Sequence, residues 1–149
     1  RPYQKNDVVG AFLVIAATDR QQVNQQVAAE CAKRNILCNV VDQSALGNFF
    51  APAVLKQGPL TIAVSTSGQA PAAARQIKQC LQKQYDEAYG VVIEQLGQFR
   101  QLLLTEIDDS KERRRLLREL QLETLVQLYR TAGLTAVEQK FAETLFGIN

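Results

Sequence analysis

Between residues 36 and 42 the chain reads Ile-Leu-Cys-Asn-Val-Val-Asp, a short apolar run rich in β-branched residues that stops on a carboxylate. A run this short, with a helical pattern before it and polar residues after it, reads as a strand buried on both faces. The helical pattern spans Arg20 to about Arg34. There Val23, Val27 and Cys31 recur every four residues with Ala28 alongside, while Gln, Asn, Lys and Arg take the other face. Ahead of it, Phe12 to Ala17 forms a second continuous apolar run that closes on Thr18-Asp19, either of which can cap the helix, and Asn35 is placed as its left-handed stop. Two buried strands joined by one helix make a parallel, right-handed crossover, and this unit fixes the opening of the chain as α/β. In open α/β sheets ligands bind beyond the carboxyl ends of the strands. Asp42 stands at that edge, where it is either a functional group or an ordinary loop cap.

Past Asp42 the pattern changes. Phe49 to Leu55 is apolar with Pro52 inside it, which confines a strand there to an edge or a bulge. Lys56-Gln57-Gly58-Pro59 is turn chemistry, and Leu60 to Val64 is a further strand. A lone apolar hairpin is marginal, so a second copy of the chain is expected to cover it through exchanged strands. The hydroxyl-rich loop Ser65 to Pro71 leads into a helix over Pro71–Lys83, with the proline suited to its first turn. From Tyr85 onward the spacing is helical throughout: a stripe from Tyr85 to Leu103, a break and cap at Asp108, Asp109 and Ser110, a helix over residues 111–130, a stop at Gly133, and a capping box at Thr135 to Glu138 that starts a final helix. The charge run Lys111 to Arg115 reads as a solvated first turn.

Composition removes several function classes. The 17 basic and 15 acidic residues nearly cancel, which supplies no electrostatic reason to expect nucleic acid or a membrane surface as partner. No apolar run approaches the ~20 residues of a membrane span. Cys31, Cys38 and Cys80 are widely spaced, with no CxxC pair, and reduced cytoplasmic thiols are the simplest account. No metal site is expected. Histidine is absent, so acid-base chemistry falls to carboxylates, Tyr, Cys or Lys. Methionine is absent as well, and the opening Arg1-Pro2-Tyr3 suggests a fragment or trimmed product of a longer polypeptide.

A series of short pieces then comes together in order: Ala16-Ala17-Thr18-Asp19, Val23-Asn24, Asn39-Val40-Val41-Asp42, Phe50-Ala51-Pro52-Ala53, Gly58 through Gly68, and Ala70-Pro71 with Ala74-Arg75. The series resembles the siroheme synthase family, in particular its precorrin-2 dehydrogenase and sirohydrochlorin ferrochelatase module. The match is dense over about residues 8 to 83 and loose in the helical tail. The resemblance implies an α/β fold in three parts: the C-terminal part of a Rossmann-like NAD-binding domain with a partial parallel sheet over 1–48, a small strand-exchange dimerisation segment over 49–84, and an α-helical domain over 85–149. It implies NAD-dependent oxidation of precorrin-2 to sirohydrochlorin in a homodimer, with ferrous iron inserted as a substrate in many members. By the same match Asp42 falls on the aspartate used in both reactions. Ala17, Thr18, Asn39 and Val41 fall where the cofactor lies, and Ser65, Thr66, Ser67 and Gly68 fall on a loop facing the tetrapyrrole.

One departure stands out. The family opens with a strand and a Gly-rich fingerprint that brings backbone N–H groups to the cofactor pyrophosphate, and the glycines here fit no such spacing. Either the intact protein carries that half-site upstream, which is the expectation, or the chain is a member unable to bind NAD. Two rival functions follow from this: a chelatase that works without NAD, and a non-catalytic dimerisation module.

Overall fold

A computed structural model describes residues 1–41 and 43–147. Asp42, the expected catalytic residue, lies outside the described residues. The chain forms two compact units, Arg1–Ala53 with Ala63–Lys78, and Val54–Ile62 with Gln79–Asn149.

The first unit is built on a strand-helix-strand turn: β1 (Leu13–Ala16), α1 (Gln21–Lys33) and β2 (Leu37–Val40). The strands pair in parallel, with Leu13 opposite Leu37 and Ala16 opposite Val40. α1 presses Val27, Ala28 and Cys31 onto Ala16, Ile36, Cys38 and Val40, with Val8 completing the cluster. The chain reverses out of α1 through Asn35, whose φ of 54° is left-handed, and the Ile36 N–H then donates to the Cys31 carbonyl. Asparagine tolerates that backbone better than other side-chain-bearing residues because its short amide bonds locally.

The expectation of strands buried on both faces needs correcting. In β1 only Ala16 is buried, and Ile15 is 60% exposed. In β2 the side chains alternate: Cys38 and Val40 point into the α1 cluster, while Leu37 and Asn39 are half-buried on the opposite face. The physical reason is that α1 covers one face of the pair, so the period-2 alternation of a strand exposes the other. Helix capping also differs from the sequence reading. Arg20 is the N-cap and contributes no side-chain bond, because Thr18 is tied instead to Asn24.

The hairpin pairs β3 (Ala53–Gln57) with β4 (Leu60–Val64) across Gly58-Pro59. The strand begins only after Pro52, as expected of a residue that cannot donate to a ladder. Leu55 is buried and Leu60 packs on the helical core, so the hairpin is partly covered by its own chain. After α2 (Pro71–Gln84), the second unit continues through α3 (Glu87–Glu106), α4 (Ser110–Glu119) and α5 (Leu122–Phe146). Asp86 and Asp109 cap α3 and α4 by accepting N–H bonds from Ala88 and Lys111. Val92, Leu103, Leu116, Leu125, Val126 and Val137 form the core, and the Phe99 and Phe141 rings stack with centroids 4.7 Å apart.

The single helix expected over 111–130 is in fact two. Leu120 and Gln121 adopt extended backbone, and Leu120 is thereby turned into the core. Gly133 breaks α5 as expected, with a φ of 79°. The basic run is absorbed locally. Arg115 pairs with Glu112 and Glu119, Arg114 reaches back to Ser110, and Arg113 donates to the Asp108 carbonyl.

Two glycines of α3 have opposite surroundings. A Cβ on Gly90 would lie 2.8 Å from the Gln57 carbonyl and 3.1 Å from the Gly58 nitrogen, whereas one on Gly97 would meet nothing within 4 Å. Gly90→Ala therefore forces backbone away from backbone and is expected to destabilise by about 1–3 kcal/mol. Gly97→Ala should stabilise by roughly 0.5–1 kcal/mol, because it only removes helix-interior glycine entropy. Urea unfolding of the pair checks this, and equal effects at the two sites would contradict it.

Candidate functional site

A cleft of about 560 Å³ opens in the first unit. Its floor is the end of β2, Asn39 to Val41, and one wall is Phe49 to Ala53. Val64, Ser65, Thr66 and Gly68 also line it, with Pro71, Ala74 and Arg75 of α2.

The Phe49 wall is strapped to β2 by one side chain. Asn48 accepts the Cys38 N–H on Oδ1 at 2.6 Å and donates from Nδ2 to the Ile36 carbonyl at 3.2 Å. The Asn48 and Phe49 N–H groups both donate to the Cys38 carbonyl. An amide side chain here continues the ladder that a further strand would supply. The strap lies so close that a Cβ on Gly47 would be 2.7 Å from the Cys38 carbonyl oxygen, which is why the position is glycine. The hydroxyl loop is held by its own turns. Ser65 Oγ accepts the Ser67 N–H, Thr66 Oγ1 accepts the Ala70 N–H, and Ser67 and Gly68 follow with φ values of 51° and 75°.

The cleft therefore brings together Asn39 and Val41 from the expected cofactor set and Ser65, Thr66 and Gly68 from the expected substrate set. Ser67 belongs to the same loop but does not line the cleft. Ala17 and Thr18 lie at the carboxyl end of β1, outside its lining, yet on the same sheet edge as Val41, whose N–H donates to the Ala16 carbonyl. Thr18 is held rigidly there. Its N–H and hydroxyl both donate to Asn24 Oδ1, and its carbonyl accepts from Asn24 Nδ2 at 3.0 Å. Buried Asn24 thus positions the β1 edge.

Sequence reasoning did not single out Arg75 as a site residue. It is the only charged side chain among the described residues that line the cleft. The available signal was its spacing: four residues beyond Pro71, it shares a helix face with Pro71 and the buried Ala74. Behind β2, the buried Cys31 thiol is pushed up to about 11, first by burial and then by the neighbouring Cys38, so it stays protonated and does not serve as a nucleophile.

Among the described residues there is no metal cluster, and the turn after β1 is no pyrophosphate cradle. Among the described residues no cluster of three His, Cys, Asp or Glu side chains could hold a metal ion. The turn from β1 to α1, Ala17 to Arg20, contains no glycine, and its Thr18 N–H is already committed to Asn24. That turn does not fit a dinucleotide pyrophosphate, which needs close, unencumbered backbone N–H groups.

Residues 1–53 match a family model for NAD(P)-binding domains, and residues 57–84 match the model for the sirohaem biosynthesis protein central domain. The chain belongs to the siroheme synthase family. It is 40% identical over 114 residues to the siroheme synthase of Pseudomonas putida, covering 76% of this chain and 25% of that protein. It is 34% identical over 148 residues to the siroheme synthase of Citrobacter koseri, covering 96% of this chain and 32% of that protein. The chain thus spans about a third or less of these relatives. Among solved structures, SirC, a precorrin-2 dehydrogenase, superposes with a TM-score of 0.78 at 26% identity, covering 98% of this chain and 69% of that one. The α/β part and the helical part therefore both recur in a precorrin-2 dehydrogenase. No described helix is long and apolar enough to cross a membrane.

Because Asn48 supplies two of the bonds that hold the cleft wall, Asn48→Ala should cost about 1–3 kcal/mol through the unpaired Cys38 N–H and Ile36 carbonyl. Unfolding the variant in urea, with amide exchange at Cys38 as a local readout, tests the strap. An unchanged midpoint and unchanged exchange would show that the wall is held by other groups.

Proposed function

We propose that the chain takes part in oxidising precorrin-2 to sirohydrochlorin, with the tetrapyrrole in the cleft beside β2 and the reaction carried out by a cytoplasmic homodimer. The observation that carries this reading is the convergence of Asn39 and Val41 with Ser65, Thr66 and Gly68 around one cleft, immediately before Asp42 in the chain. The precorrin-2 dehydrogenase among the structural neighbours supports the same assignment.

The residues divide by chemistry. Asp42 accepts the proton released as the saturated macrocycle carbon is oxidised, a task for a carboxylate in a chain without histidine. Bound NAD would supply the acceptor for the accompanying hydride. Ala17, Thr18, Asn39 and Val41 form the strand edge toward the cofactor. Ser65, Thr66, Ser67 and Gly68 orient the tetrapyrrole. Ferrous iron then enters as a second substrate once pyrrole N–H protons are removed, again by Asp42. A second reading, iron insertion without NAD, is favoured by the glycine-free turn after β1. Scoring NADH formation and siroheme formation in one preparation separates the two.

In protein that carries a complete dinucleotide-binding domain, Asp42→Asn is expected to lower NADH production from precorrin-2 by about 10²- to 10⁴-fold. The thermal midpoint should correspond to a stability change below ~1 kcal/mol. Near-normal turnover would remove Asp42 from the mechanism. Retained turnover with lost stability would make it a loop cap. Dimerisation is proposed through the two-stranded β3–β4 sheet, where Val54 is exposed and the strand edges are open to a partner. Light scattering at micromolar concentration should return twice the chain mass, and a monomer would overturn this part.

A further inference from the structure

Among the described residues, the side chains lining the cleft offer donors and no carboxylate. Ser65 Oγ and Thr66 Oγ1 each already accept a backbone N–H, so their hydroxyl hydrogens remain to donate outward. Arg75, exposed on the second turn of α2, adds a planar fork of N–H donors and no acceptor. It makes no ion pair among the described residues, a state it shares with Arg20, Arg100, Arg113, Arg114 and Arg118. No acidic side chain lines the cleft among those residues, and Val40, Val41, Phe49, Phe50 and Pro52 give it apolar walls.

We propose that Arg75, with the Ser65 and Thr66 hydroxyls, forms a carboxylate subsite that fixes one acidic side arm of the ligand and selects for polycarboxylate macrocycles. A planar carboxylate meets the guanidinium fork in two parallel hydrogen bonds, while the hydroxyls reach its remaining lone pairs. Lysine in the same place would keep the charge and lose the fork. The subsite rests on the tetrapyrrole reading only for the identity of the molecule that bears the carboxylate.

The test has two arms, so that the subsite and the tetrapyrrole reading can fail separately. In the first, the isotope-labelled chain is titrated with glutarate, with neutral glutaramide, and with inorganic phosphate. Glutarate should shift the Arg75 side-chain N–H and the amides of residues 65–68, glutaramide should not, and phosphate should bind more weakly. Arg75→Gln should abolish the shifts and Arg75→Lys should keep part of them, with the rest of the amide spectrum confirming that both variants fold. Absent shifts, shifts unchanged in Arg75→Gln, or tighter binding of phosphate would each overturn the subsite. In the second arm, uroporphyrin binding is followed by fluorescence. Arg75→Gln should raise its Kd by about 10- to 100-fold. Equal affinity of wild type and variant for uroporphyrin would overturn the subsite and leave the tetrapyrrole reading standing. Glutarate binding at Arg75 without uroporphyrin binding would support the subsite and overturn that reading.

Discussion

A parallel strand pair cannot be closed by a tight turn, and the rest of the first unit follows from that constraint. The return path from β1 to β2 must be a crossover, here α1, which covers one face and sends the carboxyl ends of both strands to the same edge. Ala17, Thr18, Asn39 and Val41 are neighbours for that reason alone. The face that α1 leaves open carries Asn39, which is where the cleft forms. The edge is therefore a by-product of topology, while side chains, Asn48 among them, hold the wall beside it.

Most of the element order was legible because it rests on local chemistry. The four-residue recurrence of Val23, Val27 and Cys31, the left-handed stop at Asn35, the entry of α2 at Pro71 and the break at Gly133 each express one short-range rule, and the backbone obeys all of them. Errors arose where a tertiary demand overrode such a rule. The apolar character of Phe12 to Ala17 suggested a buried strand, but an alternating strand under a single helix leaves its other face open. A continuous helix over 111–130 satisfied local propensity, yet Leu120 gains more by leaving helical geometry for the core.

The cleft was legible only in pieces. The residues from the end of β2 and from the hydroxyl loop could be chosen by family resemblance, because each lies in a recognisable stretch. Arg75 could not, since nothing in a helix of mixed polarity marks which exposed cation lines a cavity. Asn48 was invisible for a related reason. An asparagine in a loop looks like turn chemistry, and its service as a surrogate ladder for β2 depends on residues ten and twelve positions earlier in the chain.

The meeting of Gly90 with Gln57 and Gly58 has a further consequence. It is backbone resting on backbone, with no side chain between that could change rotamer or slide. A hairpin seated in this way has one position along α3 and no graded alternatives, much as a key seats against its shoulder. Thermal motion of the hairpin tip is thereby tied to that of the helix. The outward-facing side chains of β3 and β4 are then free to vary in evolution without altering where the tip sits, because none of them sets it.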